Sequence, residues 1–178
     1  MKILFLLLAL SLSKKNAPEQ NNSLIDWSAD RKLSWADFKA DPDPSSPNAA
    51  LTSSIIKYDF AYNDAEGFKF HIHCQFNKSN SWGRTKTEYI LSHEQGHFDI
   101  TEIFARKLNK AFKEYKPGSD IKKEVTKIYK DTMHQLGEMQ AQYDKETNFS
   151  RNKPQQEEWL KKITDGLKEL QSYANYNE

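Results

Sequence analysis

The chain has 178 residues, enough for one domain with a real core and too few for two comfortable ones. Its 26 Lys and Arg stand against 25 Asp and Glu, and a net charge of +1 gives no electrostatic case for nucleic acid or an anionic membrane surface as partner. With 37% hydrophobic and 12% aromatic residues, wholesale disorder is excluded as well.

Met1-Lys2 precede an apolar run from Ile3 to Leu12, far short of the roughly 20 residues a membrane-spanning helix needs. Small residues, Ser11 and Ser13, stand at plausible cleavage positions. Residues 1–13 are therefore expected to be a signal peptide, giving a periplasmic, cell-envelope or extracellular protein with no stable membrane span after its removal. Residues 14–23 read as a flexible tail and 24–178 as the domain. No cysteine follows the apolar run, so a lipid anchor has no attachment point. The single cysteine, Cys74, has no partner for an intramolecular disulfide and reads as a small buried hydrophobe.

Residues 24–38 are expected to add a strand, and the Pro- and Ser-rich stretch Asp41 to Pro47 is expected to be a loop. Leu51 to Tyr62 and Phe68 to Phe76 are rich in β-branched and aromatic residues, and Asn63 to Gly67 supplies turn chemistry, so the pair reads as a hairpin. Phe68 to Phe76 is expected to be an edge strand along which an extended peptide could add. Thr85-Lys86-Thr87-Glu88 matches a capping box and predicts a long helix that stops at Pro117-Gly118. Ile121, Val125, Ile128, Thr132, Leu136, Met139 and Tyr143 follow helical spacing, predicting a second helix from about Ser119 to about Glu146. A third, over about Pro154 to Tyr173, carries Trp159, Ile163, Leu167 and Leu170 on one side.

The chemistry concentrates in His93-Glu94-Gln95-Gly96-His97. On a helix the two histidines are one turn apart on one face, so their imidazoles can converge on a single Zn²⁺. Glu94 projects beside them as a general base toward a polarised water, the pattern of a zincin hydrolysing peptide bonds. Tyr89, Ile90, His93, His97, Ile100, Phe104, Leu108, Ala111 and Phe112 share one apolar face, so the histidines lie mid-stripe.

A catalytic zinc site usually has three protein ligands. The spacing of the extended motif puts Ile103 where a third histidine would stand, so the ligand must come from elsewhere. Glu146 extends the second helix's stripe three residues past Tyr143 and is one candidate. Asp144, on the flank unless the helix breaks near it, is the other. Tyr143 is either core or a donor to the oxyanion of a tetrahedral intermediate. Asp99, Glu102 and Arg106 project away and read as ion pairs, and His71 and His73 as part of a polar strand face.

The string His93-Glu-Gln-Gly-His-Phe-Asp-Ile-Thr-Glu102 resembles the central block of a bacterial family labelled zinc-dependent proteases. Leu33-Ser-Trp-Ala-Asp-Phe38, Ala50-Leu-Thr52, Ser81-Trp82, Ala105-Arg106, Tyr143-Asp-Lys-Glu-Thr147 and Gln155 to Trp159 resemble its other blocks in order, over roughly residues 24–165. The resemblance implies an exported protein with His93 and His97 as ligands and Glu94 as base, and leaves the third ligand open. Where the family pattern has a His after Tyr-Asp-x-x-Thr, this chain has Phe149.

The expected fold is α+β, a zincin-like domain with a small antiparallel sheet on the motif helix and two further helices. The expected substrate is a peptide or protein. A cell-envelope module that keeps zinc without turnover and an amidase acting on cell-wall peptides are the competing functions. Sequence leaves the oligomeric state open.

Overall fold

The computed structural model describes residues 23–176, so the expected signal peptide and nearly all of the expected tail lie outside the described residues. The architecture is α+β. A hairpin is formed by β3 (Ser54–Asn63) and β4 (Gly67–Asn77), in register from Ser54↔Phe76 to Asn63↔Gly67. Asn63 closes the turn by accepting from the amides of Ala65 and Glu66, and Gly67 takes the left-handed φ of 72° there. Strict alternation sends Ile56, Ile72, Cys74 and Phe76 inward, fully buried, while Asp59 and His71 pair across the outer face at 3.1 Å.

The expected strand near the start of the domain is β1 (Leu24–Asp26), paired antiparallel with Gln75–Asn77. Its consequence is a correction in part: in the order β1-β4-β3 the short β1 covers the end of β4 at Gln75–Asn77, so Phe68 to Phe76 is an edge only over the stretch before Cys74 that β1 does not reach. A second, two-stranded ladder joins β2 (Ala50–Leu51) to β5 (Trp82–Gly83).

The helices are α1 (Glu88–Glu114), α2 (Ile121–Thr147) and α3 (Lys153–Glu169). Asp120 and Asn152 cap the last two, each accepting an amide of the first turn. The first is capped by Thr87, not Thr85. The amides of Arg84 and Thr85 both bond to Ala49 O, which holds that stretch outside the helix. Among the described residues, no helix is long and apolar enough to cross a membrane.

Helix α1 lies between the sheet and the other two helices, and fifteen of its 27 residues are buried, against four of 27 in α2. Its polar residues are buried too, so each needs a partner. Asp99 accepts from Trp27 Nε1 at 2.7 Å and Gln95 Nε2 at 2.8 Å, and Gln95 Oε1 accepts from Leu33 N at 2.8 Å, which straps residues 27–33 to the helix. One turn on, Glu102 and Arg106 form a buried ion pair at 2.8 Å. The ion pairing is as expected, on the face away from the histidines, but the pair is buried and docks the segment from Leu167 to Tyr176. Arg106 donates to Leu167 O, Asn109 to Tyr173 O, and Glu102 accepts from Tyr176.

Removing one partner of that pair should therefore cost far more than a surface ion pair. Glu102→Leu strands a buried guanidinium and is expected to lower unfolding free energy by about 3–5 kcal/mol in urea titrations, with an unchanged m value. A loss under about 1 kcal/mol would mean that water reaches Arg106 freely.

Candidate metal centre

The 3.6-residue period stacks His93 and His97 on one face of α1, rings nearly perpendicular with centroids 4.8 Å apart. Their Nε2 atoms are 3.2 Å apart. Asp144, from α2, places Oδ1 3.2 Å from His93 Nε2 and 3.0 Å from His97 Nε2. Among the described residues, this trio is the cluster that could hold a metal ion. It forms the floor of an open pocket of about 440 Å³, whose other walls include Glu94, Gln140, Thr52, Leu136 and Phe149.

Neighbours fix how each side chain of the trio presents itself. Gln140 donates from Nε2 to His97 O at 2.9 Å and to Thr101 Oγ1 at 3.3 Å, which turns its Oε1 onto His97 Nδ1. Nδ1 must then carry the hydrogen, and Nε2 turns a lone pair on Asp144. His93 is held differently. Its Nδ1 has no hydrogen-bond partner, and the ring is clamped by stacking on Tyr143, centroids 4.4 Å apart and 22° between planes.

With a neutral His97 ring, its Nε2 lone pair thus faces the Asp144 carboxylate at contact distance, an arrangement that a proton on Nε2 or a bound cation relieves. Burial works against ionised Asp144, but its bonds with His93 and His97 prevail and hold the carboxyl well below the usual range. Burial likewise opposes charge on His97, and the bond to Asp144 with the field of Glu94 outweighs it, raising its pKa. Glu94 is 4% exposed with Oε2 unpartnered. Burial raises its pKa over the opposing pull of His97, Thr52 and His93.

Of the two carboxylates proposed as third ligand, Asp144 reaches the histidines and Glu146 does not. Glu146 is exposed and accepts from Gln142 Nε2 and Trp159 Nε1, both at 2.7 Å, on the flank of α2 that meets α3. No break in α2 is needed, because Leu136, Gln140 and Asp144, spaced four apart, all line the pocket from an unbroken helix. Of the two readings of Tyr143, core or oxyanion donor, its place in the structure fits the core. It is fully buried, and its hydroxyl donates to His93 O at 3.3 Å beneath the pocket floor. His71 and His73 stay on the outer strand face, apart from the trio.

Sequence reasoning missed Gln140 and Thr52. The hydroxyl of Thr52 donates to Glu94 O at 3.1 Å, tying the segment after β2 to the start of the motif. Gln140 had a legible signal, since it precedes Asp144 by one helical turn on the same row. Phe149 lines the pocket but is not a ligand, and the trio assembles without a contribution from that position.

Residues 73–151, a little under half of the chain, match a family described as "Bacterial protein of unknown function (DUF922)". The match runs from β4 to the turn after α2 and so contains the whole trio; the chain is similar to a bacterial family whose description carries no activity. No curated protein and no solved structure matches the chain.

The residue between the two histidines that permits this assembly is Gly96. A Cβ there would lie 2.5 Å from Tyr143 Oη. Gly96→Ala is expected to destabilise by about 1–3 kcal/mol through overpacking. Adding Tyr143→Phe, which removes the closest atom, should recover part of that loss in a double-mutant cycle. Strict additivity of the two changes would show that the helices do not meet at this point.

Proposed function

We propose that the chain is a zinc-dependent hydrolase of peptide bonds in which His93, His97 and Asp144 hold the ion and Glu94 is the general base. The observation that carries this is the convergence of two imidazole nitrogens and a carboxylate oxygen, 3.0–3.2 Å apart, at the floor of an open pocket. Nitrogen and oxygen donors of this kind suit Zn²⁺, and three protein donors with one open side are the pattern of catalytic rather than structural zinc.

When bound, zinc supplies a Lewis acid that polarises a carbonyl and makes a water a nucleophile near neutral pH. Two neutral imidazoles and one carboxylate leave it a net positive charge. Glu94 accepts the proton of the attacking water and returns it to the leaving amine. Its buried, unpartnered Oε2 and raised pKa make it a stronger base than an exposed carboxylate. Gln140 holds His97 in the tautomer that presents Nε2, and Tyr143 holds the plane of the His93 ring. The basic, apolar and small residues of 1–13 support placing this hydrolase among exported proteins.

Elemental analysis of the purified mature protein should find one zinc per chain, lost in Asp144→Ala and kept in Glu146→Gln. Glu94→Gln should keep the zinc and lower hydrolysis of a denatured protein substrate by about 10²- to 10⁴-fold. Gln140→Leu should weaken zinc affinity by about 10- to 100-fold in competition with a chelator. A wild-type protein that takes up no zinc, or a Glu94→Gln protein as active as wild type, would sink the proposal.

A further inference from the structure

Immediately after α2, Asn148, Phe149 and Ser150 have φ of 49°, 52° and 67°, the non-glycine residues of the described chain with left-handed backbone. Asn tolerates that region; an aromatic residue does so at a cost, and a helix end of this kind usually carries glycine. The turn is nonetheless pinned. Phe149 N donates to Asp144 O at 2.8 Å, Asn152 N to Thr147 O at 2.8 Å, and Ser150 is buried.

The ring that this backbone presents is not in the core. Phe149 is 42% exposed and lines the pocket that Asp144 lines, as does Leu51, which is 38% exposed. These are two of the four large hydrophobic side chains left exposed among the described residues, and both belong to this pocket. Leu136 is a further apolar residue of the same lining. An exposed aromatic ring on a strained turn contributes little to folding, and strain of this kind collects where a ligand is gripped.

We infer that Phe149 and Leu51 form a specificity subsite, selecting peptide bonds flanked by a bulky aliphatic or aromatic residue. The inference rests on the hydrolase reading and supplies its substrate class. An apolar side chain seated between the two rims would lay the adjoining backbone over the floor where Glu94 and the trio lie, so recognition and alignment coincide.

The test uses zinc-loaded mature protein and alanine-based decapeptides with a single central Phe, Leu or Asp. Wild type should cleave beside Phe or Leu with kcat/KM about 10- to 100-fold above the Asp peptide. Phe149→Gly and Leu51→Ala should flatten that preference, with cleavage sites read by mass spectrometry. Phe149→Gly should also raise the melting temperature, because glycine relieves the left-handed strain, whereas a Phe placed for stability would give a lower one. Equal cleavage of all three peptides by wild type, or an unaltered preference in Phe149→Gly, overturns the subsite while leaving the hydrolase standing. If wild type cleaves none of them, the hydrolase reading fails and calorimetric binding of the same peptides decides the subsite. Tighter binding of the Phe peptide, lost in Phe149→Gly, supports it, and equal binding overturns it.

Discussion

The close approach of α1 to α2 at Gly96 and Tyr143 is the constraint from which the site follows. With no side chain at Gly96, the Tyr143 ring enters far enough to stack on His93 and to bond its carbonyl. Tyr143 also touches His97 edge-on and Trp159 on its far side, which links the motif helix to α3 through one aromatic group. Because Asp144 follows Tyr143 in sequence, the depth of that insertion sets where its carboxylate falls. Interiors are packed too densely for the ring to slide, so the spacing of the trio is inherited from an aromatic contact. The motif's glycine thus serves the neighbouring helix, not the helix it belongs to.

Rigidity of α1 comes from its other side. Asp99, Glu102, Arg106 and Asn109 bind residues 27–33 and the segment from Leu167 to Tyr176, so the helix is enclosed by both ends of the domain as well as by the sheet. Thr101 joins the two sides. It lies 2.7 Å from the Ser54 hydroxyl on β3, donates to His97 O at 3.0 Å and accepts from Gln140. Satisfied buried polar groups of this kind hold one arrangement, since any displacement leaves a donor or acceptor dry and unpaired.

Much of this was legible before the structure. The hairpin and the three helices follow from alternation, helical period and turn residues, and His93 and His97 fall on one face by spacing alone. The cap moved by two residues because the amides of Arg84 and Thr85 pair with Ala49, a long-range bond that no local pattern encodes. The apolar stripe of α1 also understated its burial. A helix enclosed on nearly every side keeps polar residues on faces that periodicity assigns to solvent, and Glu102 and Arg106 are such a case. The third member of the trio was hidden for a related reason. Asp144 and Glu146 flank the row of Tyr143, and which flank meets the histidines depends on where α3 docks. Trp159 occupies the Glu146 side, which leaves Asp144 facing the pocket, and α3 enters the sequence only after both residues.

The site divides between two kinds of backbone. The trio and Gln140 stand on long helices, where Gln140 orients the His97 ring and Tyr143 stacks on His93. The rims stand on the short strand β2 with its flanking residues and on the turn 148–150, one tied down at Thr52 and the other at the end of α2. On the proposed reading, substitutions on the rims would alter what can enter while leaving the geometry of the trio in place. The left-handed turn is where the two parts join. Phe149 N bonds to the carbonyl of Asp144, so the residue that borders the pocket is fastened to the backbone of the residue that would hold the ion. Whatever presses on the Phe149 ring from the pocket therefore acts directly on the last turn of α2, the helix that brings Asp144 to the two histidines.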